Sequence, residues 1–455
     1  MSTPKPKKIH FLFRSNSLFF TFCQYIALFC NSLSGIVIRK LLGPWAMGLF
    51  SELMLILQYG KFHHLGIINA MERDIPYYRG EINETKVNLV QRTALAFVIL
   101  TTFHIGALLG IASLFWKELQ STISFIILLI LIETLIAYYQ TILQSYKQFK
   151  EWGKVTALIG GIDFLLKWGL TYTFGIYGLL FAMIISGSLT LLLYFKWSPT
   201  SLPRSLLFSW KETKELLKSG LSLIFFRLMY LLSQSIDRVI ILFFLGRLHL
   251  GLYSVAVMVN NILTTLPKSH FRTLTPDIIE AFGRTKDVYS VKDYLYSPYQ
   301  KFKIYFSVLI GLVILCLPFG VHWILPQFKE AIWPAQVIAA AAYFGSFIYT
   351  SNMLLMAFNE QKKLAALYGG GAILVTAIIL FFVCILEQGL EGAAYGVLLS
   401  QFIFTTVFMS YVYQYYTKNP IEHLRLFVHL YYPALWIILA LLGSRKGFFS
   451  TFLKI

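Results

Sequence analysis

The sequence predicts an all-α polytopic membrane protein built from two copies of a six-helix lobe. The chain is 57% hydrophobic and 13% charged with a mean hydropathy of +0.67, whereas soluble domains carry about 25% charged residues. Apolar stretches of roughly 20 residues, the length that crosses the hydrocarbon core, recur along the whole chain. A ten-residue phrase also occurs twice, 203 residues apart.

Twelve apolar stretches are long enough to cross a membrane, and their order defines the lobes. The first six make an N-terminal lobe over residues 1–195, residues 196–219 form a cytoplasmic linker, and the last six make a C-terminal lobe over residues 220–416. Residues 417–455 are a tail in which 425–442 is either a thirteenth span or a surface helix. The predicted spans are 17–38, 47–68, 93–116, 120–142, 154–175, 177–195, 220–245, 251–271, 304–325, 334–357, 364–386 and 392–416.

The repeated phrase reads Leu-Gly-x4-Gly-Leu-aromatic-Ser, at residues 42–51 and 245–254. Because six spans separate its two copies, both lobes enter the membrane from the same side, which predicts a parallel repeat about an axis along the membrane normal. Two further pairs follow in the same order, Gln140 with Asn352 at an offset of 212 and Gly175 with Gly389 at an offset of 214.

The net charge of +18 is unevenly distributed. Most Lys and Arg residues lie in the tail and loops on the side of the N-terminus, which predicts a cytoplasmic N-terminus. Those loops face anionic lipid headgroups, so membrane lipids rather than nucleic acid are the expected partners. The four cysteines lie inside predicted spans as packing residues, and no spacing indicates a metal or another cofactor. Phosphate-cradling, metalloprotease and nucleophile-elbow motifs are absent, so we expect no enzyme and no ATP-driven pump.

Residues 41–51, the stretch Ile75-Pro76-x2-Arg79-Gly80, and Asp237-Arg238 followed by the second copy of the phrase resemble the polysaccharide-biosynthesis, O-antigen flippase family. The resemblance extends over roughly residues 10–416. It implies a MATE-like bundle of the multidrug/oligosaccharidyl-lipid/polysaccharide exporter (MOP) superfamily, which moves lipid-linked sugars across the bacterial cytoplasmic (inner) membrane. It also implies other polysaccharide-assembly membrane proteins as partners.

The seventh predicted span carries the main candidate site. Charged groups inside a membrane are functional candidates because their burial is costly. Arg227, Gln234 and Arg238 fall within about 40° of one helix face, with the two arginines roughly 16 Å apart. The planar donor fork of arginine suits a diphosphate. At the offset of 203, Arg227 and Gln234 correspond to Gln24 and Asn31, so both first helices are expected to present polar groups to one cavity.

Other ionisable residues in the spans have two interpretations each. Lys167 lies four residues after Asp163, which permits an intrahelical ion pair or a substrate contact. Glu133 either neutralises a cavity arginine or carries a coupling proton. Asp237 is a candidate partner for the arginine that follows it.

The inner end of the second span is also polar. Lys61 is expected to meet a headgroup or substrate phosphate, or to extend to the membrane surface. His63 can titrate near neutral pH, but packing at headgroup level is the simpler expectation for His63 and His64.

The sequence therefore predicts a secondary flippase whose substrate is an anionic, undecaprenyl-diphosphate-linked oligosaccharide, with no catalytic residues. One alternative is a drug/cation antiporter of the same superfamily, which needs acidic cavity residues. Another is an integral membrane O-antigen polymerase or acyltransferase. The polymerase needs a sizeable outward loop, but the predicted outward loops span about eight residues or fewer.

Overall fold

The computed structural model describes residues 7–115, 120–197, 208–272, 278, 281–282, 284, 287–297, 299–358, 360–417 and 419–445. No strand is present among them, which confirms the all-α prediction. Short 3-10 turns cover Lys61–His64, Val288–Val291 and Pro326–Ala331, and a π-helical turn covers Phe381–Ile385. The helices of the described residues are α1 (Lys7–Gly60), α2 (Ile67–Gly80), α3 (Glu84–Ser113), α4 (Gln120–Ser145), α5 (Phe149–Trp197), α6 (Trp210–Phe244), α7 (Arg247–Arg272), α8 (Lys292–Tyr296), α9 (Tyr299–Ile324), α10 (Ile332–Gly345), α11 (Ile348–Ala357), α12 (Gln361–Leu380), α13 (Gly389–Tyr413), α14 (Pro420–Tyr431) and α15 (Ala434–Arg445).

The glycines that the repeat pairs with each other all have a positive φ. Gly43 has φ 71° and its counterpart Gly246 has φ 86°, while Gly175 has φ 57° and its counterpart Gly389 has φ 55°. Glycine adopts this left-handed region without steric cost. Gly43 and Gly175 bend α1 and α5, and the other two precede α7 and open α13. The duplication inferred from sequence is therefore visible in the backbone.

Fewer helices than predicted spans are long enough to cross a membrane unbroken. Eight helices of the described residues meet the length and composition required, or up to ten if each of two bent pairs counts as one span. Two of the eight, Phe19–His64 and Phe149–Trp197, are 46 and 49 residues long. At 1.5 Å per residue each is about twice the roughly 30 Å hydrocarbon core, so each covers two predicted spans. The predicted span 334–357 is divided between α10 and α11, and the total of twelve remains a prediction.

The chain forms two compact units. The first unit comprises residues 1–42 and 53–225. Its core lies between α2, α3, α4 and α5, where Met71, Val90, Tyr138 and Tyr194 are almost fully buried. The start of α6 packs on this core through the buried side chain of Leu216. Part of the predicted linker, residues 198–207, lies outside the described residues.

The second unit comprises residues 43–52 and 226–455. In its C-terminal segment, α14 and α15 meet at a bend of 45°. The Lys303 ammonium donates to the carbonyl of His429 at 2.7 Å, and Gln336 Nε2 donates to Ser444 Oγ at 2.6 Å and to the carbonyl of Ile314 at 2.7 Å. The segment therefore runs along α9 from residue 303 to residue 314. The thirteenth span and the surface helix both stay predictions for this segment.

Candidate functional site

The predicted site residues lie in both units, and those of the first unit form two ion pairs. Lys61 Nζ donates to Glu133 Oε2 at 3.5 Å, joining the 3-10 turn after α1 to α4. The partner of Glu133 is thus a lysine, whereas the sequence analysis considered a cavity arginine. Both side chains are partly exposed, at 39% and 36%. Gln24 and Asn31 have exposed side chains on the first arm of α1, and their contact with a cavity stays a prediction.

The second ion pair of the first unit lies within α5. Lys167 Nζ contacts Asp163 Oδ2 at 2.7 Å, and the hydroxyl of Ser186 donates to Asp163 Oδ1 at 2.8 Å. Since both carboxylate oxygens have partners, the charge of Asp163 is well compensated. Lys167 is 18% exposed, so a substrate phosphate could reach it only beside this carboxylate.

The imidazole of His63 lies deeper than the sequence analysis expected. Its Nδ1 is 2.9 Å from Thr101 Oγ1, and its Nε2 is 3.1 Å from Thr134 Oγ1 and 3.3 Å from Thr102 Oγ1. These threonines belong to the middle of the 30-residue α3 and the 26-residue α4. The expectation of headgroup-level packing is therefore wrong for His63. His64 Nδ1 accepts instead from the backbone N–H of Gly66 at 3.1 Å.

In the second unit, α6 carries the four remaining predicted residues. Arg227 and Gln234 have exposed side chains, while Asp237 and Arg238 are only 17% and 15% exposed. Arg238 Nη2 donates to the backbone carbonyl of Gln234 at 3.1 Å, and its Nε lies 3.9 Å from Asp237 Oδ1. The hydroxyl of Tyr253 donates to Asp237 Oδ2 at 2.8 Å. The carboxylate of Asp237 is thus held mainly by Tyr253 and by the N–H of Arg238 at 2.8 Å.

A polar cavity of about 80 Å³ adjoins Gln234 and Asp237 within the second unit. One water needs roughly 10–15 Å³ by this measure, so the cavity has room for several waters. Most of its polar groups are neutral amides and hydroxyls that the sequence analysis did not select, although amides inside an apolar span were an available signal. These are Tyr230, Ser233, Asn260, Thr264, Tyr349, Tyr368, Ser400 and Gln401.

The two copies of the repeated phrase lie against each other in the second unit. A Cβ on Gly48 would overlap the carbonyl oxygen of Arg247, and a Cβ on Gly251 would overlap that of Pro44. Pro44 and Arg247 are themselves equivalent in the repeat, so the contact is reciprocal. Arg247 Nε also donates to Glu52 Oε2 at 2.8 Å, and both side chains are mostly buried. The two copies of the repeated phrase therefore form a tight helix crossing.

No group of three or more His, Cys, Asp or Glu side chains among the described residues is placed to hold a metal ion.

Comparison with protein families gives a match to the family described as polysaccharide biosynthesis protein over residues 36–281, slightly more than half of the chain. No curated protein matches significantly. Among solved structures, an inward-facing multidrug resistance MATE family transporter of the MOP superfamily aligns with a TM-score of 0.70, at 15% identity, over 88% of this chain and 95% of that chain. The outward-facing conformation of such a transporter aligns with a TM-score of 0.64, at 14% identity, over 93% and 99%.

At such low identity these structures show the fold alone, and that fold agrees with the MATE-like prediction. The chain has the fold of the MATE transporters and belongs to the polysaccharide biosynthesis protein family.

Proposed function

We propose that the protein is a secondary flippase that moves an anionic lipid-linked oligosaccharide from the inner to the outer leaflet of the bacterial cytoplasmic membrane. The lipid carrier is undecaprenyl diphosphate, and transport proceeds by alternating access. The family match and the exporter fold support the general activity. The choice of an anionic substrate rests on the charges inside the helices.

The observation that carries this choice is the balance of charged groups among the predicted site residues. Cations outnumber carboxylates by four to three, and each carboxylate contacts a cation. A cationic substrate would have to displace these partners, whereas a diphosphate is attracted by the excess positive charge. The cations are Lys61, Lys167, Arg227 and Arg238, and the carboxylates are Glu133, Asp163 and Asp237.

The face of α6 is the proposed diphosphate site. Arg227 and Arg238 are eleven residues apart on one helix, a rise of roughly 16 Å. Each offers a planar fork of N–H donors that matches phosphate oxygens. Gln234, between them, offers an exposed amide for a sugar hydroxyl. Gln24, Asn31, Lys61 and Lys167 of the first unit remain proposed substrate contacts.

A drug/cation antiporter is the second candidate, because the similar solved structures are multidrug transporters. Such a protein needs a carboxylate that a cationic drug can reach. Asp163 accepts from both Lys167 and Ser186, and Asp237 accepts from Tyr253. These contacts count against the antiporter. Because the similar solved structures are multidrug transporters, drug efflux is measured together with sugar transport.

The deciding experiment measures lipid-linked oligosaccharide in each leaflet of cells that lack the protein and are complemented with wild type, Arg227→Ala or Lys218→Ala. Lys218 is an exposed lysine on the same helix and serves as the matched control. We expect wild type and Lys218→Ala to clear the cytoplasmic leaflet and Arg227→Ala to fail at equal membrane abundance. Normal clearance by Arg227→Ala would reject the arginine site. Oligosaccharide that crosses without the protein but stays unpolymerised or unmodified would indicate the enzyme, and ethidium efflux by wild type would indicate the antiporter.

A further inference from the structure

An open pocket of about 410 Å³ lies in the second unit and shares no residue with the polar cavity described above. Ligand-binding clefts in proteins span roughly 300–1,000 Å³, so this size suits a small ligand or the headgroup of a lipid. The start of α8, the end of α13 and one side of α14 form its walls, and we call it the α8/α14 pocket. Its lining residues are Lys292, Asp293, Tyr413, Glu422, Arg425, Leu426 and His429.

The α8/α14 pocket lies where two membrane-spanning helices meet the membrane surface. Tyr413, in its wall, is the last residue of the apolar helix Gly389–Tyr413. Lys292 lies in the polar segment that leads into the apolar stretch Phe302–Ile324. Both ends are on the predicted cytoplasmic side, so we expect the pocket at the level of the headgroups of the inner leaflet.

The charges that line the pocket are balanced but not paired. Lys292 and Arg425 supply two positive charges, and Asp293 and Glu422 supply two negative ones. Among the residues that the structure describes, no ion pair joins either of these cations to either carboxylate. Opposite charges that line one pocket without contact leave space between them for a ligand that carries a negative and a positive group.

A buried cation behind the pocket favours a negative group nearby. Lys303 is 2% exposed, and its ammonium donates at 2.7 Å to the carbonyl of His429, a lining residue. In the described part of the chain, no carboxylate forms an ion pair with Lys303. A buried ammonium without a counter-ion is costly. A phosphate in the pocket, near His429, would reduce this cost.

The charged side of α14 adjoins an apolar stripe on the same helix. Ile421, Leu424 and Val428 are exposed at 60%, 64% and 61%, with the spacing of one helix face. At about 100° per residue, this stripe is centred roughly 100° around the helix from the polar lining residues. Exposed Leu435 and Leu439 continue the apolar surface on α15. A lipid with its headgroup in the pocket can therefore lay its hydrocarbon chains along α14.

We propose that the α8/α14 pocket binds a zwitterionic phospholipid of the surrounding leaflet whose headgroup carries a phosphate and a primary ammonium, as phosphatidylethanolamine does. The phosphate accepts from Arg425 and Lys292, on the side of Lys303. The ammonium donates its N–H groups to Glu422 and Asp293. A headgroup with a phosphate alone would face two carboxylates, which counts against an anionic lipid. This site does not depend on which substrate the protein transports.

The first test measures lipid binding to the purified full-length protein by native mass spectrometry, with phosphatidylethanolamine, phosphatidylglycerol and phosphatidylcholine of equal chain length as probes. We expect wild type to bind phosphatidylethanolamine about fivefold more tightly than the other two. Lys292→Gln/Arg425→Gln should weaken this binding about tenfold, because charge-assisted hydrogen bonds to the phosphate are lost. Asp293→Asn/Glu422→Gln should abolish the preference over phosphatidylglycerol, because the carboxylates contact only the ammonium.

Lys362→Gln is the matched control, since Lys362 is an exposed lysine of α12 that does not line the pocket. It should bind the three lipids as wild type does. Equal affinity of wild type for all three lipids, tighter binding of phosphatidylglycerol, or unchanged binding by Lys292→Gln/Arg425→Gln would overturn the proposal. Displacement of phosphatidylethanolamine by an equal concentration of inorganic phosphate would also overturn it, because the pocket would then be a site for free anions.

The second test locates the hydrocarbon chains. Phosphatidylethanolamine or phosphatidylcholine with a diazirine on one acyl chain is incorporated into nanodiscs with the protein, and peptide mass spectrometry identifies the residues modified on illumination. We expect more adducts at Ile421, Leu424 and Val428 with the phosphatidylethanolamine probe, and no difference between the probes in Lys292→Gln/Arg425→Gln. Equal labelling of α14 by the two probes in wild type, or an excess that persists in the variant, would place the lipid elsewhere and overturn the proposal.

Discussion

One pair of equivalent positions is charged in the first unit and neutral in the second. Repeat offsets of 203 and 212 place Thr264 opposite Lys61 and Gly345 opposite Glu133. In the first unit these positions hold an ion pair with an N–O distance of 3.5 Å. In the second unit both positions line the polar cavity of about 80 Å³. The same place in the fold is thus charged in one copy and neutral in the other.

This difference shows what duplication preserves and what it leaves variable. At Gly345, a Cβ would lie 2.8 Å from Gln401 Nε2. The amide of Gln401 therefore occupies the space that a side chain at position 345 would need. Leu266 stands at the position equivalent to His63, so the second copy has no imidazole there. The left-handed glycines, by contrast, agree between copies within about 15° in φ. Backbone turns were kept, and the chemistry of the side chains diverged.

The largest expected effect comes from the feature that the copies share most closely, the glycine crossing. Gly48→Ala and Gly251→Ala should each lower the free energy of unfolding by about 3 kcal/mol, because the added methyl group overlaps a backbone carbonyl that cannot rotate away. Equal losses are expected, since the contact is reciprocal. Thermal unfolding of the purified protein in detergent measures both variants.

Gly161→Ala is the control for this pair, because a Cβ there meets no atom within 4 Å. It should match wild type or be slightly more stable, as alanine favours helix. A stable Gly251→Ala variant would show that the two phrases do not cross this closely.

An intermediate loss of stability is expected at an ion pair that occurs in only one copy of the repeat. Arg247 and Glu52 are 2.8 Å apart and mostly buried, whereas their repeat equivalents are Pro44 and Val255. Glu52→Gln should cost about 2–3 kcal/mol, since it leaves the guanidinium without its charge partner. Glu52→Gln/Arg247→Met should cost less than the single change. Denaturant unfolding in mixed micelles compares the variants, and a double variant less stable than the single one would contradict a simple charge pair.

Sequence predicted the features that depend on local residue type. The glycine pairs followed from the repeated phrase, because only glycine adopts their φ freely. The break after the 3-10 turn, where Leu65 has φ 47°, was missed, since leucine gives no signal for left-handed backbone. The predicted span ended at residue 68, where polar residues begin, and this placed His63 at headgroup level. The helix in fact resumes as α2 to Gly80, which moves His63 towards the middle of the bundle.

The cavity in the second unit was missed for a different reason. Asn260 and Gln401 come from distant parts of the chain, and only tertiary packing brings them to one space. The spacing of Asp163 and Lys167, in contrast, is local to one helix, and their contact at 2.7 Å follows from that spacing.

The smallest expected effect concerns the charged position itself. Lys61 and Glu133 are more than a third exposed, so solvent and neighbouring polar groups weaken their attraction. A double-mutant cycle with Lys61→Met and Glu133→Gln should give a coupling of only about 0.5–1 kcal/mol. The equivalent cycle with Thr264→Val and Gly345→Ala should give no charge-dependent coupling, and adding salt should reduce only the first. A coupling of several kcal/mol in the first unit would mean that the pair is buried from water during function. In that case the ion pair between Lys61 and Glu133 would be needed for the stability of the first unit. Substitution of Glu133 would then unfold this unit before transport could be measured.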